Sequence, residues 1–499
     1  MIWLRLSELM QPFPLAEPLG EPGVEVTGLA HDSRAVKPGD LFICVRGSKH
    51  DGHAFLPQAF AAGAAAAVVE ASVAVGDARP IVKVPSVEAI LPELAARFYA
   101  YPASRLRLVG VVGTNGKTTS TYLIRNILES AGYGVGLIGT IQNLVRDRAL
   151  PATNTTPGPL ELQALLAEMV QAGCQYAVME VSSHAIALGR TRGCEFTAGL
   201  FTNITQDHLD FHKTFAEYLR VKQSFFANLA KESWAVINGD DAEAGGFLAA
   251  TAARTLTYGL GPDNLIRADR VRAEIDGVGF QVHTPVGQVP LQIHLTGHFN
   301  VYNSLGALGI GLALGLDLQT TARGLEAVAG VPGRFQIVPG SQRFGVIVDY
   351  AHTPDGLENV LRTARQLTKG KVIVVFGCGG DRDRGKRPLM GRVAAKYADT
   401  ILVTSDNPRS EDPLAIIKEI EAGLVSAGKK PHEYRLIADR EQAIRTAVAS
   451  AVPNDLVIIA GKGHETYQIF GDRTIHFDDR EVAAAALEDR KHGALVSGD

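Results

Sequence analysis

Apolar positions in this chain gather into short unbroken runs with amphipathic stretches between them. The clearest run, residues 106–112, stops at Gly113-Thr114-Asn115-Gly116 and gives way to a helical pattern from Lys117. Runs at 135–138, 176–181 and 199–202, with a helix expected over 159–172, repeat the strand-then-helix order. Apolar runs without period-two alternation read as strands buried on both faces, and their alternation with helices predicts a parallel sheet covered by helices. After a break at Gly330-Val331-Pro332-Gly333-Arg334 the alternation resumes at 345–349, 371–376, 400–404, 434–438 and 455–460, which predicts a second sheet. The first hundred residues mix short runs such as 40–45 with one alanine-rich helical stretch and end in Tyr101-Pro102-Ala103-Ser104. A chain of 499 residues suits about three domains. An α/β protein is predicted, with domains at 1–102, 103–332 and 333–499.

Charge narrows the partners. With 49 Lys and Arg against 53 Asp and Glu, the net charge is −4 and there is no long basic run, so neither a nucleic-acid polymer nor a membrane surface is expected. The most apolar tract, residues 59–69, is about half the length of a spanning helix. Cys44, Cys174, Cys194 and Cys378 are scattered without a C-x-x-C pair, which fits core thiols in a reducing compartment. The first fourteen residues lack a sustained apolar core and a cleavage signature, so a cytoplasmic location is expected.

The break after residue 112 carries the first chemistry. Glycines without Cβ let backbone N–H groups close on an anion, the following helix presents its positive end, Lys117 adds a cation, and the Thr118 hydroxyl suits Mg²⁺. The general G-x-x-x-x-G-K-[ST] formula would place glycine at Val111. A second stretch, Gly380 to Lys386, fits that formula better, but Arg387 replaces the hydroxyl residue. Arg382, Arg384, Lys386 and Arg387 follow a predicted strand end and are expected to clamp a substrate anion, the alternative being a solvated loop. Glu180 ends a strand and supplies a carboxylate for a metal. His208, in Thr205-Gln206-Asp207-His208, reads equally as metal ligand, base or capping turn. Lys222 lies on an amphipathic helix, where residue type alone predicts an exposed cation.

Together these residues resemble the Mur ligase family, ATP-dependent amide-forming enzymes of peptidoglycan precursor synthesis, across all three blocks. Residues 113–118 fit its G-T-x-G-K-T loop, which lacks the outer glycine. Further marks are Glu180 with Ser182-Ser183-His184, Asn203 with Asp207-His208, His298-Phe299-Asn300-Val301-Tyr302-Asn303, Pro332-Gly333-Arg334 and Asp349-Tyr350-Ala351-His352. The resemblance implies an N-terminal α/β domain for a uridine-nucleotide substrate, a central P-loop ATPase domain on a parallel sheet, and a C-terminal Rossmann-like domain for an amino acid. ATP is then expected on Gly113, Thr114, Asn115, Gly116, Lys117, Thr118, Thr119, Asn300, Arg334 and Asp349. One Mg²⁺ is expected on Thr118 and Glu180, and a second on His208 and Lys222. The family's counterpart of Lys222 is carbamylated by CO₂ (N6-carboxylysine), which replaces the exposed-cation reading. Lys117, Lys222, His208, Arg334 and His352 are the expected catalytic groups.

Similarity in the first block, Asp32-Ser33-Arg34 and Gly47-Ser48-Lys49-His50-Asp51-Gly52, implies a uridine pocket that includes Ser33, Ser48, Lys49 and His50. Asn154, Thr155, Thr156, Ser182 and Arg190 are assigned by similarity to a muramoyl-dipeptide, while Leu188 departs from the glutamine of many relatives. Asp406-Asn407-Pro408-Arg409 resembles the version of the specificity motif that takes meso-2,6-diaminopimelate. Its second carboxylate distinguishes that amino acid from lysine, and Arg409 can fork to it, a contact lysine would leave unmet. Arg382, Gly461 and Glu465 join this set by similarity. The implied reaction is ATP-dependent ligation of meso-diaminopimelate to UDP-N-acetylmuramoyl-L-alanyl-D-glutamate through an acyl phosphate, by a monomer whose linker at residues 329–334 acts as a hinge. The alternatives are a lysine-adding or D-alanyl-D-alanine-adding ligase, a folylpolyglutamate synthase-like ligase, and an ATP-hydrolysing switch.

Overall fold

The computed structural model describes residues 3–14, 23–47, 50–73, 78–207 and 209–496. Three large sheets lie in succession along the chain, with two two-stranded sheets besides among the described residues. The first has four parallel strands, Gly28–Ala30, Asp40–Ile43, Ala66–Val69 and Ile81–Lys83, in that order. The helix Val87–Phe98 starts where the Ser86 hydroxyl accepts from Ala89 N, and its apolar stripe of Ile90, Leu91, Leu94, Ala95 and Phe98 packs on that sheet. Leu160 of the next unit belongs to the same cluster, so the first unit docks on the helix Pro159–Gln171.

The second sheet has eleven strands. Its parallel heart places Arg107–Val112 between Tyr176–Glu180 and Phe196–Phe201, with Val135–Ile138 beyond the former and Trp234–Asn238 beyond the latter. These strands are the continuous apolar runs of the sequence, buried on both faces as the pattern requires. Helices Lys117–Ser130, His298–Ala313 and Leu318–Glu326 contribute to the core on one face. The sheet is mixed rather than wholly parallel. Ile266–Glu274, Gly277–Thr284 and Gly287–Ile293 form an antiparallel meander at one edge, and Asn143–Val145 with Arg148–Leu150 a hairpin at the other.

The third sheet runs Gln336–Ile337, Gly345–Asp349, Leu456–Ala460, Val372–Phe376, Thr400–Val403, Tyr434–Leu436, parallel except for its first strand. Chain order reverses beside Val372–Phe376, because the late strand Leu456–Ala460 inserts between it and Gly345–Asp349. Loops leaving the carboxyl ends there open a crevice, the usual ligand position of open α/β sheets. Among the described residues no helix is long and apolar enough to cross a membrane.

Candidate active site

The register of the central sheet assembles the first half of the site. Val111 pairs with Glu180 on one side and Leu200 on the other, so the strand runs straight through the position where the general formula wants glycine. The loop therefore begins only at Gly113, where a Cβ would strike the Thr202 hydroxyl. Gly116 sits at φ +83°, with Asn303 filling the space a side chain would need. Asn203 braces the loop by accepting from Asn115 N (2.9 Å) and donating to Asn115 O (3.0 Å).

Two lysines meet beneath this loop. Lys117 Nζ donates to Gly113 O (2.9 Å) and Thr114 O (2.8 Å), and Lys222 Nζ donates to the same Gly113 O at 2.8 Å. Lys222 is 1 % exposed, which overturns the exposed-cation expectation. Tyr218, Lys222, Phe225 and Phe226 form the buried stripe of the helix Phe215–Ala227, a spacing visible in the sequence. Burial first, and then the Lys117 charge, pull the Lys222 ammonium well below its ordinary range, partly opposed by Asp207. Burial likewise lowers Lys117.

Thr118 and Glu180 stand together: the Thr118 hydroxyl donates to Glu180 Oε2 (3.0 Å), while Thr140 N and the Thr140 hydroxyl donate to Glu180 Oε1 (2.8 Å) and Oε2 (3.0 Å). Arg334 reaches across from the third unit, donating from Nη2 to the Thr118 hydroxyl at 2.9 Å with its guanidinium 4.4 Å from the Tyr350 ring centroid. Its buried Nε has no hydrogen-bond partner among the described residues. Asp355, which residue patterns did not single out, makes a second bridge: it accepts from Asn115 Nδ2 (2.6 Å) and the Thr205 hydroxyl (3.3 Å).

Several expected groups stand back. Thr119 is buried inside its helix. Asn300 bonds Thr296 O and Asn303, so Asn303 is the member of that pair lying against the loop. Asp349 accepts from Phe335 N (2.6 Å) and Ala351 N (2.8 Å), fixing the backbone after Arg334 rather than touching the loop; burial raises its carboxyl. His352 Nδ1 lies 2.9 Å from Tyr350 O, so it carries the proton and Nε2 the lone pair. Burial, then Lys386, holds His352 down to about 4. His208 lies outside the described residues, as do Ser48 and Lys49.

In the muramoyl-dipeptide set, the Thr156 hydroxyl donates to Glu180 O (2.8 Å) and accepts from Ser182 N (3.0 Å), and Arg190 donates to Thr156 O (2.9 Å). Thr155 meets Thr140 at 3.0 Å, and Asn154 is exposed on the same loop. Leu188 is exposed nearby in sequence. In the first unit Ser33 donates to Gln58 Oε1 and His50 packs edge-on to Phe55, so neither touches the phosphate loop.

The crevice of the third sheet gathers the remaining set. Asn407 Nδ2 donates to Glu465 Oε2 (2.8 Å), which also pairs with Lys462 (2.9 Å). Gly461, at φ +116°, lies where a Cβ would come 2.6 Å from Asp406 Oδ2. Asp406 is buried, and despite that burial Lys462 and Arg440 keep its carboxyl below the usual range. Arg409 is half-buried at φ +54°, its Nη1 donating to Gly380 O (2.8 Å), its backbone held by the hairpin Tyr467–Phe470 and Arg473–His476. Gly380 N in turn bonds Asn407 O. The expected four-residue cationic clamp is corrected. Arg387 is wholly buried and bound to Glu411 and Glu419, Arg384 pairs with Glu419, and Lys386 donates to His352 O. Arg382, exposed beside Arg409's loop and bonded to Asp381 O, remains available for an anion.

Comparison with known proteins matches residues 25–99 to the Mur ligase family catalytic domain, 111–311 to the Mur ligase middle domain and 333–463 to the Mur ligase glutamate ligase domain. A UDP-N-acetylmuramoyl-L-alanyl-D-glutamate--2,6-diaminopimelate ligase of Geobacillus thermodenitrificans is 48% identical over 94% of this chain and 96% of its own. One of Gloeobacter violaceus is 47% identical over 98% and 99%. A solved structure of a ligase with the same name superposes with a TM-score of 0.67 at 32% identity, covering 99% of this chain and 100% of the other. A MurF ligase of Thermotoga maritima in complex with ADP shares the fold, at 18% identity and a TM-score of 0.66 over 95% of this chain and 98% of the other.

Proposed function

The chain belongs to the Mur ligase family, and from that premise we propose that it joins meso-2,6-diaminopimelate to UDP-N-acetylmuramoyl-L-alanyl-D-glutamate at the expense of ATP, in peptidoglycan precursor synthesis. The observation that carries the amino-acid half is the crevice in which Asp406, Asn407, Arg409, Gly461 and Glu465 converge. Arg409 and Arg382 supply cations for a carboxylate, and Asp406 and Glu465 supply anions for an ammonium. Lysine would leave Arg409 unmet in a partly dry site.

In this reading the γ-phosphoryl group of ATP passes to the D-glutamyl carboxylate, releasing ADP. The amine of diaminopimelate then attacks the acyl phosphate, phosphate leaves, and the amine proton is lost as the amide forms. The chain's part is positioning and charge neutralisation. Lys117 exchanges its loop carbonyls for phosphate oxygens, and Arg334, with its free Nε, neutralises charge from the opposite side. His352, held neutral with Nδ1 donating to Tyr350 O, presents the Nε2 lone pair as a hydrogen-bond acceptor for the incoming amine. Ser33, Ser48, Lys49 and His50 are assigned to the uridine nucleotide, and Asn154, Thr155, Thr156, Ser182 and Arg190 to the muramoyl-dipeptide.

The donor set fits Mg²⁺. A hydroxyl beside a carboxylate, as at Thr118 and Glu180, is how Mg²⁺ shared with phosphates is held. Thr118 and Glu180 would hold one ion, and His208 with Lys222 as its carbamate a second; the ions would screen the triphosphate and acceptor carboxylate. A carbamate requires a neutral amine, towards which burial and the Lys117 charge bias Lys222, and its remaining N–H can still serve Gly113 O. Four free cysteines support a cytoplasmic setting.

Phosphate release tests this reading. It should require ATP, the UDP-muramoyl-dipeptide and diaminopimelate together; release from ATP alone at the same rate would favour the switch.

A further inference from the structure

We propose that Arg440 is a positioning residue for diaminopimelate recognition, its buried guanidinium tying together the two loops that carry residues 406–409 and 461–465. The inference rests on the ligase reading above.

Arg440 begins the helix Arg440–Ser450 and Asp479 the helix Asp479–Val496, and both side chains are wholly buried. Nε and Nη2 of Arg440 fork onto Asp479 Oδ1 and Oδ2, both at 2.7 Å. The fork fixes the plane of the guanidinium and aims the remaining N–H groups. Nη1 donates to Ser405 O (3.2 Å) and Nη2 to Ala460 O (3.0 Å). Ser405 immediately precedes Asp406, and Ala460 immediately precedes Gly461.

Those two carbonyls come from different parts of the sheet. Thr400–Val403 and Leu456–Ala460 are separated by Val372–Phe376, so no ladder hydrogen bond joins them. The guanidinium spans the gap. The separation it sets decides whether Asn407 on one loop meets Glu465 on the other. The Ser405 hydroxyl adds a bond to Ala438 O, two residues before Arg440, closing a ring of three loops. A buried ion pair adds little stability over apolar packing of the same volume; what this one supplies is geometry. Lysine cannot reproduce it, because an ammonium lacks the planar fork.

The test is steady-state kinetics of Arg440→Lys and Asp479→Asn, varying each of the three substrates in turn. In Arg440→Lys the KM for diaminopimelate should rise about tenfold or more and its preference over lysine should fall, with KM for ATP and the UDP-muramoyl-dipeptide within about twofold. Asp479→Asn should move the same constant in the same direction by less, and it carries the test if Arg440→Lys does not fold. An unchanged KM for diaminopimelate in folded variants, or three constants rising together, would overturn the proposal. Wild-type protein that does not turn over diaminopimelate would instead defeat the ligase reading.

Discussion

Lys117 and Lys222 donate to a single acceptor, the carbonyl oxygen of Gly113, at 2.9 and 2.8 Å. Two ammonium groups on one oxygen repel each other, and the more buried one loses its proton more readily. Lys222→Ala should therefore lower ligation by on the order of 10²–10³-fold, a loss of charge stabilisation at the phosphoryl group. Short carboxylates should restore part of it, and mass spectrometry of intact wild-type protein should find added CO₂ on Lys222. An unimpaired alanine variant would refute the carbamate.

Asp355 joins the third unit to the phosphate loop through Asn115 and Thr205. Asp355→Ala removes a charge-assisted bond of about 1–3 kcal/mol. KM for ATP should rise roughly 5- to 150-fold by that arithmetic, with thermal stability little altered. A KM for ATP equal to wild type would show that the bridge does not serve nucleotide binding.

Arg409→Ala should impair diaminopimelate use by on the order of several kcal/mol in kcat/KM while leaving ATP binding intact. Unchanged kinetics with diaminopimelate would contradict the charge argument for specificity.

Acid should weaken the fold through His352. Its imidazole is held down to about 4 by burial and Lys386, below the ordinary 6.5. The unfolded chain therefore binds a proton that the folded chain refuses between those values. The contribution is fully present above 6.5 and is lost as pH falls toward 4, by roughly 3 kcal/mol at most. His352→Gln should flatten the fall in melting temperature over that range; an identical pH profile would remove His352 as its cause.

Much of the fold was legible because buried parallel strands leave unbroken apolar runs: the strands at 107–112, 176–180, 345–349 and 456–460 lie almost where the runs fall. The antiparallel meander at 266–293 was not, since its half-exposed strands carry Arg267, Arg270 and Arg272 and read as polar chain. Val111 misled only against the general formula; as a central-strand residue it must be apolar. Residue type alone makes Lys222 an exposed cation, whereas its spacing from Tyr218 and Phe225 puts it on the buried stripe. Arg387 looked like a ligand clamp because Glu411 and Glu419, which neutralise it, lie 24 and 32 residues away. Arg334 meeting Thr118 and Asp355 meeting Asn115 are contacts between units, which local patterning cannot reveal.

A competition assay decides between diaminopimelate and lysine: the protein is incubated with ATP, Mg²⁺, the UDP-muramoyl-dipeptide and equal amounts of meso-diaminopimelate and lysine, and the products are weighed by mass spectrometry. One dominant product is expected, the UDP-muramoyl-tripeptide ending in diaminopimelate, formed with one phosphate released per amide. A predominant lysine product, or phosphate released without any amide, would contradict the proposed function.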